Sequence, residues 1–316
     1  MMVLQGEMLE NFEAYSHKGI YHIIFNHKKR PYNFFDSQTL QEFDTLLSFV
    51  ENGQYNGLVL ASGKQSFVVG ANVKDFVEAH DAPDSMIEGI LRKGQSLFNR
   101  IEDLGIPSVA IMRGINMGGG LEVALACTSR VLIEDPKPEN PKYHTFQMTK
   151  LALPEVKLGI IPSWGGTTRL PRMIYPTKAI ELICSGRNVG QKEALKIGLV
   201  DRVVSYVDAM DSAYNIIDTA DYLGIREKKI GPTSLGRLRA SITYPIVRRT
   251  IAKKQKKMFG SSNKYPSPYK ALKVLKNSRT LCRDESLELE IAMFVKLVKT
   301  VECRELVGRF LRGERE

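Results

Sequence analysis

The sequence predicts an α/β fold for its first two-thirds, followed by an all-helical C-terminal segment. Up to about residue 205, short apolar runs of strand length alternate with longer segments whose apolar residues recur every three or four positions. After about residue 231 the strand-like runs stop, whereas the helical spacing continues. We therefore expect a core over residues 1–205, a transition helix or linker over 206–230, and a basic helical segment over 231–316.

Three β-rich runs and five helical stretches carry this prediction. The strands are expected at Ile20 to Phe25, Gly57 to Ala61 and Val109 to Met112, each followed by a turn containing Gly or Asn. The helices are expected at Ser37 to Val50 with Ser37 as the cap, at Ser85 to Leu104, after Gly118, at Tyr269 to Ser278 and at Glu285 to Lys299. The apolar positions predicted to face the core are Leu40, Phe43, Leu46, Leu47 and Val50 in the first helix, and Ile87, Ile90, Leu91, Leu97, Phe98, Ile101 and Leu104 in the second.

Composition narrows the class of protein. Apolar runs are far shorter than a bilayer span, and the N-terminus lacks the basic and apolar regions of a signal peptide, so we expect a cytoplasmic protein without a membrane span. The net charge of +10 arises in residues 231–316, which hold 20 Lys and Arg against 8 Asp and Glu. Such a patch binds phosphates or an acidic surface, or is simply a solvated helix face; nucleic acid is disfavoured because few aromatics interleave the basic run.

Several kinds of site are not expected. The four cysteines form no CxxC pair and are predicted to be buried and reduced, and the five histidines lack metal-ligand spacing, so no metal site is predicted. No Gly-x-Gly-x-x-Gly sequence marks a nicotinamide cofactor.

The pattern that predicts chemistry is a pair of glycine turns. A strand runs from Ile111 into Gly118-Gly119-Gly120, which opens a helix, and a second turn, Phe67 to Asn72, follows the strand at Gly57. Glycines let the backbone approach a ligand closely, and a helix N-terminus offers unpaired N–H groups to negative charge. With the amide of Ala71 as a second donor, the two turns favour an oxyanion hole.

Two acids accompany these turns. Glu122 follows the triple glycine, and Glu155 lies in the apolar, turn-rich stretch from Leu153 to Gly166. Burial and a neighbouring carboxylate would drive their pKa values apart, as suits an acid and a base. The alternatives are a first-turn acid favoured by the helix dipole for Glu122 and a surface acid for Glu155.

In this order the residues resemble the crotonase, or enoyl-CoA hydratase, superfamily. The resemblance covers about residues 15–205: Phe67 to Asn72 and Gly114 to Glu122 look like its two oxyanion motifs, and Pro154 to Gly166 like its second catalytic-acid segment. Ser185-Gly186-Arg187 and Gly198 to Val204 are similar to the end of the family core. Lys264 to Pro268, Glu285 to Phe294 and Arg304 to Val307 look like the segment that follows this core in bacterial multifunctional fatty-oxidation α-subunits.

The resemblance implies a crotonase-like spiral of ββα turns that binds an acyl-CoA thioester as substrate and needs no cofactor. It implies an enoyl-CoA hydratase, a hydro-lyase of fatty-acid β-oxidation. The implied catalytic pair is Glu122 and Glu155, the oxyanion donors are the amides of Ala71 and Gly119, and the other substrate-binding residues are Gly70, Gly118, Ser163, Trp164 and Lys28. Lys28 alternatively belongs to a solvated basic turn, and Trp164 either lines the acyl pocket or packs beneath it.

Several positions depart from the family pattern. Asn72 stands where Asp is usual, Arg113 where Asn is usual, Asn116 where Ala is usual, and Ser163 where Gly is usual; an insertion lies around Glu134 to Thr149. Partners implied are a 3-hydroxyacyl-CoA dehydrogenase domain or protein and further copies of the chain. Two other functions stay open: a 3-enoyl-CoA to 2-enoyl-CoA isomerase of the same fold, and a non-catalytic scaffold or RNA-binding protein that uses the basic tail.

Overall fold

A computed structural model describes residues 9–136, 147–219, 266–278 and 280–314, together with positions 249 and 253. The most basic part of the segment 231–316, from Ser234 to Gly260, therefore lies outside the described residues, apart from those two positions. The chain divides into two compact units. Unit 1 comprises Met1–Ala71, Ser96–Leu151 and Val189–Lys228, and unit 2 comprises Asn72–Gln95, Ala152–Asn188 and Lys229–Glu316.

Unit 1 is built on a six-stranded sheet. Its strand order is β1-β2-β3-β4-β6-β8, with β1 antiparallel to β2 and every later pair parallel. A second, two-stranded sheet pairs β5 with β7. The strands are β1 Phe12–His17, β2 Ile20–Phe25, β3 Gly57–Ser62, β4 Ser108–Met112, β5 Ile115–Met117, β6 Ser129–Ile133, β7 Lys150–Ala152 and β8 Arg202–Val204. The central strands β3, β4 and β6 are almost wholly buried, as expected for parallel strands covered on both faces.

The helices alternate with these strands through the first two-thirds of the chain, and the described residues after 266 are helical apart from their connections. This confirms the predicted α/β fold with helices at its C-terminal end. The helices are α1 Ser37–Asn52, α2 Asp75–Asp81, α3 Asp84–Asp103, α4 Gly119–Ala126, α5 Gly166–Met173, α6 Pro176–Ser185, α7 Gln191–Ile197, α8 Ala209–Thr219, α9 Ser267–Asn277, α10 Arg283–Val298 and α11 Val301–Leu311.

Most of the apolar positions predicted for the first two helices face the core, but three details differ. All five predicted positions of α1 are buried, whereas on α3 Ile90 is 46% exposed because it lies off the packed face, and Leu104 is half-buried just past the end of the helix. The cap of α1 is Asp36 and not Ser37: its carboxylate accepts the N–H of Thr39 at 2.9 Å, which makes Ser37 the first helical residue.

The cysteines follow the prediction at three of four positions. Cys127, Cys184 and Cys303 are buried free thiols, and burial raises the pKa of Cys303 to about 12, so this thiol stays protonated. Cys282 is exposed instead, because it caps α10. Its Sγ accepts the N–H of Glu285, whose carboxylate in turn accepts the N–H of Cys282 at 2.9 Å.

A buried histidine gives unit 1 a dependence on pH. His22 on β2 is fully buried, its Nε2 lies 3.0 Å from the hydroxyl of Tyr214 on α8, and the ring of Tyr15 stacks on it. Burial lowers the pKa of His22 below its usual value, and the charge of His17 lowers it further. The unfolded chain, with a His pKa of about 6.5, therefore binds this proton more readily than the folded protein.

The first prediction follows from that sign. Stability from neutral His22 is present above pH about 6.5 and is lost as pH falls from there through the lower folded pKa. We expect the wild-type unfolding free energy, measured with urea at pH 7 and pH 5, to fall more than that of His22→Gln. Equal losses in the two proteins would contradict the assignment.

Candidate active site

The two glycine turns predicted from sequence lie against each other in unit 1. The N–H of Met117 donates to the carbonyl of Val68 at 3.2 Å. A Cβ added to Gly120 would come within 2.0 Å of that same carbonyl oxygen, and one added to Gly70 within 3.3 Å of the Met117 carbonyl. The close approach of these two backbone segments therefore requires glycine at position 120.

The backbone of both turns bends where the sequence supplies glycine. Gly70 has φ 112° and Gly118 has φ 52°, a region that L-residues with side chains rarely adopt. Phe35 bridges to Ala71 in parallel fashion, with its N–H bonded to the Gly70 carbonyl at 2.8 Å. The Gly70 carbonyl and the Ala71 N–H belong to one trans peptide and point in opposite directions, so the amide of Ala71 points away from Phe35. The amide of Gly119 is the first N–H of α4, ahead of the N–H groups of Leu121 and Glu122, which donate to the Gly118 carbonyl.

Polar contacts hold the approach to the second turn. The buried side chain of Asn116 donates to the carbonyl of Gly114 at 3.0 Å and that of Arg113 at 3.2 Å. Arg113 also donates to the carbonyl of Ser62 at 2.9 Å, and burial lowers its pKa. Asn116 thus braces the turn from within its own segment, whereas Arg113 ties that segment to the end of β3.

Glu122 lies on the first turn of α4 and is 3% exposed. Its N–H donates to the carbonyl of Gly118 at 2.9 Å, which ties the acid to the glycine turn. Every residue of α4 is buried, as its uniformly apolar sequence predicts. A carboxylate in the first turn of a helix is favoured by the helix dipole, which stabilises the charged form of Glu122.

In unit 2, Glu155 opens a single 3₁₀ turn, Glu155–Leu158, and is half-buried. The turn ends at Gly159 with φ 80°, and a Cβ there would lie 2.8 Å from the Cα of Cys303 on α11. The hydroxyl of Ser267 on α9 donates to the carbonyl of Val156 at 2.9 Å. The C-terminal helices therefore fix the turn that carries Glu155.

Ser163 and Trp164 are both buried in unit 2. The side-chain amide of Gln95 donates to the Ser163 carbonyl at 2.8 Å and to the Leu287 carbonyl at 3.0 Å. The ring of Trp164 packs against α3 at Gly94, where an added Cβ would come within 2.4 Å of it. Of the two sequence-based alternatives, Trp164 has at least the packing role.

Glu290, a fully buried carboxylate on α10, is not among the site residues predicted from the sequence. It accepts the N–H of Gly165 at 2.9 Å and the hydroxyls of Thr167 and Thr168 at 2.6 and 2.7 Å. Burial raises the pKa of Glu290, whereas these hydrogen bonds and the charge of Arg169 oppose the rise. One feature of the sequence indicates the role of Glu290: it lies among the apolar residues on the inner face of α10, and a Glu in such a position needs a buried partner.

The remaining predicted positions make local contacts within their own unit. The Nζ of Lys28 donates to the carbonyl of Leu9 at 2.6 Å, and the side chain is exposed. Asn72 donates to Asp75 at 2.6 Å, which makes it a local brace at the start of α2. The insertion predicted around 134–149 is closed at its base by the Thr149 N–H, which donates to Asp135 at 2.7 Å, and residues 137–146 within it lie outside the described residues.

The predicted site residues are divided between the two units. Unit 1 carries Lys28, Gly70, Ala71, Gly118, Gly119 and Glu122, and unit 2 carries Glu155, Ser163 and Trp164.

Two other kinds of feature are absent from the described residues. Within the described ranges, no cluster of three or more His, Cys, Asp and Glu side chains is arranged to hold a metal ion. Among the described helices, none is both long and apolar enough to cross a membrane.

The second prediction uses two glycines of α3. Gly89 has no atom within 4 Å of an added Cβ, so Gly89→Ala should raise the unfolding free energy by about 0.4–1 kcal/mol through helix propensity. Gly94→Ala meets the buried Trp164 ring and should instead cost about 1–3 kcal/mol. Trp164 is the only tryptophan, so its fluorescence reports the displacement directly. Equal stabilisation by both variants, with unchanged fluorescence, would contradict the contact.

Comparison with known proteins identifies relatives of this chain. Residues 16–220 match the family Enoyl-CoA hydratase/isomerase. The chain is 33% identical over 302 residues to the fatty acid oxidation complex subunit alpha of Pseudomonas syringae pv. syringae (strain B728a). The matched region covers 94% of this chain and 39% of that protein. The chain thus spans about two-fifths of that relative's length.

Solved structures share its fold. A carnitinyl-CoA dehydratase from Mycobacterium thermoresistibile superposes with a TM-score of 0.70 at 19% identity, over 97% of this chain and 92% of that one. An enoyl-CoA hydratase from Bacillus halodurans superposes with a TM-score of 0.65 at 20% identity, over 94% and 99%. At these identities the likeness shows the fold alone, and it confirms the crotonase-like fold predicted from sequence.

Proposed function

Because the chain belongs to the Enoyl-CoA hydratase/isomerase family, we propose that it is a hydratase that adds water to a 2-trans-enoyl-CoA in fatty-acid β-oxidation. The observation that carries the proposal is the contact between the two glycine turns, made by the Met117 N–H and the Val68 carbonyl. That contact holds the segments bearing the Ala71 and Gly119 amides side by side, and a separate bond from the Glu122 N–H to the Gly118 carbonyl ties Glu122 to the second of them.

In the proposed reaction the two amides bind the thioester oxygen. Addition of hydroxide at C3 pushes electrons through the conjugated system onto this oxygen, so negative charge builds there in the transition state. Two backbone N–H groups that are fixed before the reaction stabilise that charge without reorganising. The N-terminal end of α4 adds its dipole at the Gly119 position.

Glu122 and Glu155 supply the acid and the base. One carboxylate takes a proton from water as the water oxygen bonds to C3. The other glutamate, in its protonated form, gives its proton to C2, so that H and OH are both added across the double bond. A positioned acid or base of this kind contributes roughly 10²–10⁴ in rate. Because a hydratase uses two such groups, whereas moving a double bond needs one proton shuttle, the presence of both glutamates favours hydration over isomerisation.

Other residues bind the substrate in this proposal. Gly70 and Gly118 shape the two turns, Ser163 presents a backbone N–H to the water, and Trp164 borders the acyl chain. Lys28 meets the CoA phosphates, which its exposed position in a basic turn permits. No cofactor takes part, and the 3-hydroxyacyl-CoA product is passed to a dehydrogenase, whether on a longer form of this chain or on a partner.

The test is the absorbance of crotonyl-CoA, whose conjugated double bond is lost on hydration. We expect the absorbance to fall on adding the protein, and Trp164 fluorescence to change on binding of the substrate. No change in absorbance at high protein concentration would refute the hydratase. Activity on a 3-enoyl-CoA alone would instead support the isomerase, and salt-sensitive retention of RNA without turnover would support the non-catalytic alternative.

A further inference from the structure

Glu290 sits at the N-terminal end of α5, far from that helix in sequence. One carboxylate oxygen accepts the N–H of Gly165, and the other accepts the hydroxyls of Thr167 and Thr168. The carboxylate is fully buried, so it replaces solvent as the partner of three donors in the first turn of the helix. An acidic group at this position also faces the favourable end of the helix dipole.

The same contacts fix successive peptide groups of the preceding turn. The peptide that joins Trp164 to Gly165 is held at both ends: Arg169 donates to its carbonyl at 3.0 Å, and Glu290 accepts its N–H at 2.9 Å. The next peptide towards the N-terminus is held at the Ser163 carbonyl by Gln95. Gly165 itself has φ 108°, a conformation that needs both the glycine and an outside partner to be well defined.

The C-terminal helices thus hold both ends of the segment that begins with Glu155. Ser267 on α9 anchors the 3₁₀ turn at one end, and Glu290 on α10 anchors the Trp164–Gly165 peptide at the other. Between them Ile160 and Ile161 are fully buried. Neither end can shift without breaking a buried hydrogen bond, which leaves a buried polar group without its partner.

We propose that Glu290 is a positioning residue for the candidate active site: through the Gly165 N–H it sets the backbone of Ser163 to Gly165 beside the Glu155 segment. This inference rests on the proposed hydratase function. It makes the C-terminal helical segment a part of the proposed catalytic apparatus, because the Glu290 carboxylate holds the N–H of the peptide whose carbonyl Arg169 holds.

The experiment uses the full chain and compares two variants of Glu290, one that keeps the length of the side chain and one that keeps its charge. Glu290→Gln keeps the reach of the side chain: its carbonyl oxygen accepts from Gly165, while the threonine hydroxyls reverse and accept from its NH₂ group. Glu290→Asp keeps the charge beside Arg169 but is one methylene shorter, so it cannot serve Gly165 and both threonines.

We expect Glu290→Gln to hydrate crotonyl-CoA at close to the wild-type kcat, and Glu290→Asp to lose about tenfold or more in kcat with KM changed much less. The control is Glu288→Ala on the same helix, which removes an exposed ion pair with Arg92 and should leave kcat unchanged. An aspartate variant as active as wild type, or one more active than the glutamine variant, would overturn the positioning role.

Trp164 fluorescence keeps this test separate from the proposed function. The Trp164 carbonyl belongs to the peptide whose N–H Glu290 holds. The fluorescence emission of Trp164 should therefore shift in Glu290→Asp and not in Glu290→Gln. A wild-type protein without turnover would refute the hydratase while leaving this structural readout to be scored. An active wild type with identical emission in both variants would refute the positioning residue alone.

Discussion

Glu122→Gln should lower kcat for crotonyl-CoA hydration by about 10²–10⁴ while leaving the free energy of unfolding near that of the wild type. Glutamine has almost the shape of glutamate, so it fills the same buried place on α4, but its amide neither takes nor gives a proton at neutral pH. Binding of the acyl-CoA, followed by Trp164 fluorescence, should persist. Glu155→Gln is expected to behave in the same way.

Glu42→Gln is the matched control for a carboxylate with a structural role. Glu42 is half-buried in the same unit as Glu122 and accepts hydrogen bonds from the N–H groups of Glu10 and Asn11. Its loss should change stability and leave kcat unaltered. The proposed mechanism fails if Glu122→Gln retains wild-type kcat, and an isomerase-like single-acid scheme is favoured if only one of the two catalytic variants is impaired.

Gly120→Ala should be nearly as damaging, and for a reason that lies in the backbone. Its new methyl group would come within 2.0 Å of the Val68 carbonyl oxygen and 2.6 Å of the carbonyl carbon, atoms that cannot rotate away. The two glycine turns must then separate, which moves the Ala71 amide relative to that of Gly119. Losing one oxyanion donor costs about 10²–10³ in kcat, and the overpacking costs about 1–3 kcal/mol of stability.

Gly190→Ala controls for the loss of a glycine as such. Gly190 lies in the same unit, has φ −87°, and has no atom within 4 Å of an added Cβ. It should keep full activity and lose less than about 1 kcal/mol of stability as a helix cap. A Gly120→Ala enzyme with kcat within threefold of the wild type would show that the contact with Val68 does not set the spacing of the two amides.

The sequence predicts those parts of the molecule that depend on neighbours in the chain. The glycine turns at Gly70 and Gly118 can be predicted because a positive φ is a local backbone conformation that glycine adopts with little strain. The buried face of α1 can be predicted because its apolar spacing repeats within one helix. The choice between two adjacent helix caps is harder to predict. Asp36 and Ser37 are both good capping residues, and in the structure the Asp36 carboxylate accepts the Thr39 N–H.

What depends on distant partners was not predictable in this way. Gln95 and Glu290 are ordinary helical residues by sequence, and their roles arise only because Ser163 and Gly165 meet them from 68 and 125 positions away. Ile90 matches the apolar spacing of α3 but is exposed, since the packed face of that helix is decided by the elements around it. Long-range contacts of this kind need the fold before they can be identified.

The partnership of Gly165 with Glu290 also sets an order of events during synthesis. The turn leaves the ribosome 125 residues before the carboxylate that completes it, so the nascent chain carries three donors there that only water can satisfy. Domains generally fold as units during translation, at about 5–20 residues per second. The segment beside Glu155 therefore reaches its final form several seconds after it is made, and a chain interrupted before α10 leaves it unfinished.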